Sequence, residues 1–208
     1  RYGTVTGVQT CALPIYNKLN ISDRKEINVL NSISSDISQL RTTLIDSSLK
    51  TLRFNLNRKN SNNKFFEFGK IYEQLENKTM ESRRLSITFS DDLLNQTWNN
   101  SSKNDNFYVL KNLVLNIFKK LSISISQKEI EHEGFSNTLG LFYKKERIAI
   151  IGEINNDFKS VYSLKKRVFY SSLNIDMILD LLKIEFNKYK GLSKFPSVKR
   201  ELNFLLDD

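Results

Sequence analysis

Arg147 to Ile154 reads RIAIIGEI, a run that is nearly all apolar between its charged ends. An apolar run of this length is typical of a central strand that is buried on both faces of a sheet. Before it, Leu139, Leu141 and Tyr143 alternate with their neighbours, as residues of a strand do. After it, Val168 to Leu173 (VFYSSL) also has strand character. We therefore expect a sheet that contains 147–154 as a central strand.

Upstream of these strands, the sequence carries a clear helical stripe. Five large apolar residues are spaced by three, four, three and four positions: Phe107, Leu110, Val114, Ile117 and Leu121. This spacing places all five on one face of a helix. It predicts a helix that packs against the sheet.

The remaining segments complete the predicted order of elements. We expect a helix at Thr43 to Arg58. We expect strands at Glu26 to Asn31, Phe65 to Tyr72 and Leu85 to Phe89. Gly69 suggests a bulge or a close backbone approach, and the strict alternation after Leu85 predicts a half-buried strand. Asn174 is expected to cap a short helix. The whole order predicts an α+β domain built on one main, largely antiparallel sheet.

The composition limits the function without deciding it. The 208 residues are 39% hydrophobic and 26% charged, as in a folded domain, with one cysteine and one histidine. No internal disulfide can form, a zinc site is disfavoured, and the reducing cytosol is the expected compartment. No apolar run is long enough for a membrane helix. The net charge of +9 fits either a nucleic-acid partner or a solvated basic surface.

Motifs for catalysis are missing from the sequence. There is no P-loop and no dinucleotide fingerprint, since no two glycines stand two positions apart. His132, between Glu131 and Glu133, is more typical of an exposed loop or strand end than of a catalytic base. The residues alone therefore predict no nucleophile, metal site or phosphate cradle.

Three segments resemble the β-subunit of bacterial phenylalanyl-tRNA synthetase. They are Val29 to Leu49 (VLNSISSDISQLRTTLIDSSL), Phe65 to Tyr72 (FFEFGKIY) and Leu192 to Asp207 (LSKFPSVKRELNFLLD). Their order and spacing match the family's pattern over roughly 190 residues, which makes the resemblance specific. Ser32 stands where the family often has proline, and Asn155–Asn156 replaces its usual His-Pro.

The resemblance implies a role in an enzyme of several subunits. The family's enzyme is an α₂β₂ heterotetramer in the cytoplasm that uses ATP and Mg²⁺ to attach phenylalanine to tRNA(Phe). Its α-subunit catalyses, while the β-subunit carries a class II synthetase-like domain without catalytic residues. This chain has no F-R-x-E and no glycine-rich segment ending in arginine, so we expect an inactive copy with neither ATP nor Mg²⁺ bound. It is expected to pack against the α-subunit, with no membrane contact.

The resemblance also suggests a division of the chain. Residues 17–188 are expected to be the class II-like core, and 189–208 the start of a ferredoxin-fold anticodon-binding domain. Residues 1–16 (RYGTVTGVQTCALPIY) match nothing in the family, so we interpret them as non-native sequence; the alternative is a native loop that enters the domain.

Two sets of site residues follow. Lys194, Lys199 and Arg200 are candidates for contacts with tRNA phosphates, by resemblance and by charge. The alternative is that they protect the edge of a strand against aggregation. Arg41 is a candidate for a structural ion pair with Asp36 or Glu67, and the alternative is a solvated arginine on a helix. No catalytic residue and no metal ligand is predicted.

Two other functions remain open at this stage. The first is a free-standing basic RNA-binding module that works without an α partner. The second is an independent class II-like ligase, although the arginines that such an enzyme needs to bind ATP are missing from the sequence.

Overall fold

The computed structural model describes residues 10–11, 27–28, 39–60, 63–75, 78–90, 106–184 and 200–201. The strands are β1 (Thr10–Cys11), β2 (Gln39–Leu40), β3 (Lys64–Leu75), β4 (Lys78–Ser90), β5 (Ser126–Glu129), β6 (Phe135–Tyr143), β7 (Glu146–Ile154) and β8 (Val168–Asn174). The helices are α1 (Ile45–Asn57), α2 (Asn106–Lys120), α3 (Asn156–Val161) and α4 (Ile175–Ile184). Six strands form one antiparallel sheet in the order β3-β4-β8-β7-β6-β5. The predicted α+β class with one main antiparallel sheet is confirmed.

Strand β7 lies at the centre of this sheet, between β8 and β6. Its residues 148–152 are all buried, as the apolar run predicts. Helix α2 lies across β8, β7 and β4 on one face, where Leu110 and Val114 are fully buried. Ile178 of α4 joins the same cluster. The predicted packing of the stripe from Phe107 to Leu121 against the sheet is confirmed.

Helices α1 and α3 cover the other face of the sheet. Leu49 and Leu52 of α1 pack with Phe158 of α3 and with Ile150 and Tyr170 of the central strands. The sheet therefore has a hydrophobic layer on each face, which explains why its central strands are buried on both sides.

The prediction that β4 is half-buried is wrong, and so is the first of the two alternatives at Gly69 of β3, a bulge. Ser86, Thr88 and Ser90 are buried, so β4 is not half-buried towards its end, because its polar side chains lie on the face that α1 covers. Gly69 makes no bulge: it pairs with Arg84 in a register that runs unbroken along β3 and β4. A bulge needs an extra unpaired residue, and none is present between the paired residues of these strands.

Asparagine side chains begin two of the helices. Asn174 Oδ1 accepts a hydrogen bond from the Met177 N–H at 3.3 Å, so the predicted cap of α4 is confirmed. Asn155 caps α3 in the same way, accepting from the Phe158 N–H at 2.9 Å. Asn155 is one of the two residues at which the chain departs from the family's His-Pro.

Several predicted features lie partly or wholly outside the described residues. These are most of the strand at Glu26 to Asn31 and most of the segment from Leu192 to Asp207. Strand β1 falls within residues 1–16, and it pairs with β2. In the part of the chain that is described, no helix is both long enough and apolar enough to cross a membrane.

Candidate functional site

A buried charge cluster joins the segment before α1 to the edge strand β3. Arg41 is 4% exposed, and it donates from Nη1 to Glu67 Oε1 at 2.5 Å and from Nε to the Lys70 carbonyl at 2.7 Å. Ser47 Oγ donates to the second oxygen of Glu67, also at 2.5 Å. The Tyr72 N–H donates to the Arg41 carbonyl at 2.9 Å. Charge-assisted hydrogen bonds are the strong ones, so this cluster positions α1 against β3.

The structure brings together only some of the residues chosen from the sequence. Arg41 and Glu67 form an ion pair, whereas Asp36 lies outside the described residues. Arg200 is exposed, and Lys194 and Lys199 also lie outside the described part. The RNA contacts therefore stay a prediction.

An exposed aromatic pair marks the edge strand β3. Phe66 and Phe68 are 72% and 56% exposed, and we call them the aromatic edge. They stand opposite Ile87 and Leu85 of β4, so they belong to the face that α2 and α4 cover further along the sheet. Among the described strands, β3 has a partner on one side only.

A cavity of about 330 Å³ opens on the opposite face of the sheet. It lies between the N-terminal end of α1, helix α3, residues 131–133 and strands β3, β4, β7 and β8. Both charged and apolar side chains line it, so the cavity offers a binding surface with two kinds of contact.

The hydroxyl group of Tyr170 lines this cavity from the sheet. Tyr170 is 1% exposed, and burial, followed by the nearby Glu67 carboxylate, raises the pKa of its hydroxyl. The nearby hydroxyls of Ser172, Thr43 and Ser86 lower the pKa of Tyr170 in part. None of them is in hydrogen-bonding geometry, so the Tyr170 hydroxyl makes no hydrogen bond within the described residues. It stays protonated, and it is available as a donor and an acceptor.

Two other titratable groups at the cavity, Asp46 and His132, have structural partners. Asp46 accepts a hydrogen bond from Tyr162 Oη at 2.5 Å and pairs with Lys50 at 2.7 Å. His132 is partly buried, with Nδ1 2.9 Å from the Glu133 carbonyl and its ring edge-on to Phe135. In the described ranges, no three histidine, cysteine or acidic residues are grouped to hold a metal ion. The arrangement supports binding more than acid–base chemistry.

No pattern in the sequence marks the cavity or its tyrosine. Asp46 and Tyr162, which help to build the wall, are 116 residues apart in the chain. Tyr170 alternates within β8 like any strand residue, so no local pattern marks it. The cavity forms only when elements that are distant in the sequence come together.

Comparisons with known proteins agree on one family. The model described as "Phenylalanyl tRNA synthetase beta chain CLM domain" matches residues 14–175. The phenylalanine–tRNA ligase β subunit of Bacteroides fragilis is 30% identical over 194 residues, which cover 87% of this chain and 24% of that protein. The corresponding subunit of Clostridium tetani is 30% identical over 194 residues, with 89% and 23% covered. The chain spans about a quarter of the length of these curated relatives.

A solved structure supports the fold. The pyrrolysyl-tRNA synthetase from Desulfitobacterium hafniense is similar with a TM-score of 0.61 and 12% sequence identity, over 85% of this chain and 64% of that one. At this identity the likeness concerns the fold alone, an antiparallel sheet with helices of the class II synthetase type. Because the family model covers most of the sequence, the chain belongs to the family of the phenylalanyl-tRNA synthetase β-chain CLM domain.

Proposed function

We propose that this chain is a non-catalytic module of a phenylalanine–tRNA ligase β subunit that packs against the catalytic α-subunit. In that role it supports the ATP- and Mg²⁺-dependent attachment of phenylalanine to tRNA(Phe) without binding either cofactor itself. The observation that carries the proposal is the aromatic edge, Phe66 and Phe68 on the edge strand.

An edge strand with large exposed aromatics is a liability for a protein that works alone. Its backbone groups and its apolar side chains both invite association, and natural edge strands are commonly protected by charges or a covering element. Lys64 and Lys70 flank the pair, but the two rings themselves stay exposed. Membership of a β-subunit family supplies a partner that would cover them.

Inactivity is proposed from the sequence and from the site. Class II active sites hold ATP with an arginine in an F-R-x-E context and a glycine-rich segment, and this sequence contains neither. The acids and the histidine around the cavity show no nucleophile–base pair among the described residues. We therefore expect no ATP–pyrophosphate exchange from the chain without its α partner.

Co-purification tests the packing proposal. The double variant Phe66→Ser/Phe68→Ser, placed in the complete β subunit and co-expressed with the α-subunit, should lose the stable complex. Tyr108→Ser is the matched control, because Tyr108 is also an exposed aromatic but lies on α2. A full yield of complex from the double variant would contradict the proposed surface, and a β subunit that never binds α would favour the free-standing RNA-binding module.

We also propose that 17–188 is the core domain, with an anticodon-binding domain opening at 189–208. On this proposal Lys194, Lys199 and Arg200 contact tRNA phosphates. Replacing Lys199 and Arg200 by alanine should weaken tRNA binding for all sequences alike and reduce the salt dependence by roughly one unit of slope per lost contact. An unchanged salt slope would exclude these residues from the tRNA interface.

A further inference from the structure

We propose that the ion pair between Arg41 and Glu67 fixes the register of β3, so that the aromatic edge faces outward for its partner. This role rests on the proposed packing against the α-subunit, because only a partner gives a function to rings that face water. Arg41 would act on Phe66 and Phe68 through the backbone of the strand, which makes it a positioning residue.

Arg41 holds β3 at three places along the strand. Its side chain, 4% exposed as part of the residue, pairs with Glu67 at 2.5 Å. Its Nε donates to the Lys70 carbonyl at 2.7 Å, and its own carbonyl accepts from the Tyr72 N–H at 2.9 Å. One residue therefore contacts a side chain and two backbone groups of the edge strand.

These contacts are possible in one register only. In an antiparallel pair, the backbone groups of every second residue point away from the partner strand. Lys70 and Tyr72 are two such residues, since β3 is the edge strand and their groups bind Arg41 instead of β4. A shift of one residue would turn these groups towards β4 and move Glu67 to the opposite face, so that all three contacts would be lost together.

The apolar side chains of β3 do not favour the native register by themselves. It leaves Phe66 and Phe68 72% and 56% exposed, while Glu67 lies on the face that α1 covers. A shift of one residue would place both rings on the covered face and return Glu67 to water, which the hydrophobic effect favours. Because Leu75 pairs with Lys78, such a shift lengthens the connection from two residues to three, and both lengths are common in hairpins.

The ion pair opposes this shift. In the native register the Glu67 carboxylate keeps Arg41 and Ser47 as partners, each at 2.5 Å. Buried ion pairs add little to net stability, and their best-attested use is to select one register over another. Strand β4 is held between β3 and β8, so β3 is the strand that can shift. Loss of the Arg41 charge should therefore release the register of β3.

NMR on the isotope-labelled chain measures this register directly. In the native pairing Phe66 stands opposite Ile87, and their backbone groups point away from each other, so their Hα atoms are close. In the shifted pairing Glu67 would take this place opposite Ile87. We expect the Phe66–Ile87 contact alone in the wild type and an additional Glu67–Ile87 contact in Arg41→Ala. Arg41→Gln is the milder variant and should show the same contact if Arg41→Ala does not fold.

The affinity for the α-subunit tests the link to docking. With Arg41→Ala in the complete β subunit, the Kd of the complex should rise as the inverse of the native-register fraction. A native fraction of about one tenth would raise it about tenfold. Arg41→Lys keeps a charge for Glu67, so it should rescue the register and most of the affinity, although its melting temperature should fall.

Gly152→Ala is the control that is matched in stability. It disturbs the packing at Phe135 on β7, which β8 and β4 separate from β3. Its melting temperature should fall as in the Arg41 variants, while its register and its Kd for the α-subunit should stay those of the wild type.

Each outcome decides a different point. A second register in Arg41→Ala, a Kd that rises in step with it and an unaffected Gly152→Ala would support the role of the ion pair. A single native register in the folded Arg41→Ala or Arg41→Gln chain would overturn it and leave the proposed function intact. A shifted register with an unchanged Kd would overturn the link to docking, and an equal loss of affinity in Gly152→Ala would reduce the role of Arg41 to stability.

Discussion

Replacing Arg41 by alanine should destabilise the chain by about 2–4 kcal/mol. The change removes the cation that pairs with Glu67 and the donor that satisfies the Lys70 carbonyl. Breaking a fully buried ion pair costs about 3–5 kcal/mol. The Glu67 side chain is 25% exposed, so water can partly replace the lost partner and the expected cost is smaller.

Urea unfolding of the chain, followed by circular dichroism at neutral pH, measures this cost. We expect the midpoint to fall at an unchanged m-value, because the amount of buried surface stays nearly the same. Arg41→Lys should cost about 1–2 kcal/mol, since one ammonium group cannot reproduce the geometry of the guanidinium fork. In a double-mutant cycle, Glu67→Gln should lower the stability less when Arg41 is already missing.

Asp180→Asn is the control for this series. Asp180 pairs with Lys183 on α4, but both side chains are largely exposed, so no measurable change is expected. A loss below about 0.5 kcal/mol for Arg41→Ala would refute the reasoning, because it would mean that the pair behaves like one on the surface.

Three further predictions concern the sheet and its caps. Gly152→Ala should lower stability by about 2–3 kcal/mol in urea unfolding, because the new methyl carbon would stand 2.5 Å from the Phe135 ring; wild-type stability would refute this packing. Asn174→Ala should cost about 1 kcal/mol and speed hydrogen exchange in the first turn of α4, whereas an Asp replacement should retain the cap. The Arg167 guanidinium, which donates two hydrogen bonds to Glu153, holds the pKa of that carboxyl below its ordinary value of 4.5. The stability from this pair is present above that value and is lost as the pH falls through the folded-state pKa, so the deficit of Arg167→Gln should shrink in acid; a deficit that is constant with pH would contradict the assignment.

The parts of the fold that the sequence predicts are those with a strong local period. The apolar run of β7 and the stripe of α2 each carry their burial in the spacing of neighbouring residues. The cap at Asn174 is equally local, because an Asn at the end of a strand and before an apolar helix satisfies the first free N–H groups.

Burial of β4 could not be predicted in the same way. Alternating small polar and apolar residues look alike whether their polar face meets water or a second layer. Ser86 and Thr88 are buried because α1, which begins some forty residues earlier, lies on that face. The sequence of α1 shows which side of the helix is apolar, but it does not specify which strand that side covers.

The candidate site divides along the same line. Its positive charge made Arg41 a candidate for an ion pair, but the sequence spacing could not choose between the carboxylates of Asp36 and Glu67. In the structure, Arg41 Nη1 lies 2.5 Å from Glu67 Oε1. The walls of the cavity come from α1, α3 and four strands, so no single segment of the sequence predicts it.

The alternation of β3 separates the aromatic edge from the cavity. Phe66 and Phe68 occupy even positions and lie on the α2 side, whereas Ile71 and Glu73 occupy odd positions and line the cavity on the α1 side. Substitutions at the aromatic edge should therefore abolish the contact with an α-subunit and leave the NMR chemical shifts of the cavity-lining residues unchanged. If Phe66→Ser/Phe68→Ser changed those shifts as well, β3 itself would have moved, since a register change of one residue exchanges the two faces of the strand. The two measurements together thus distinguish a lost surface from a displaced strand.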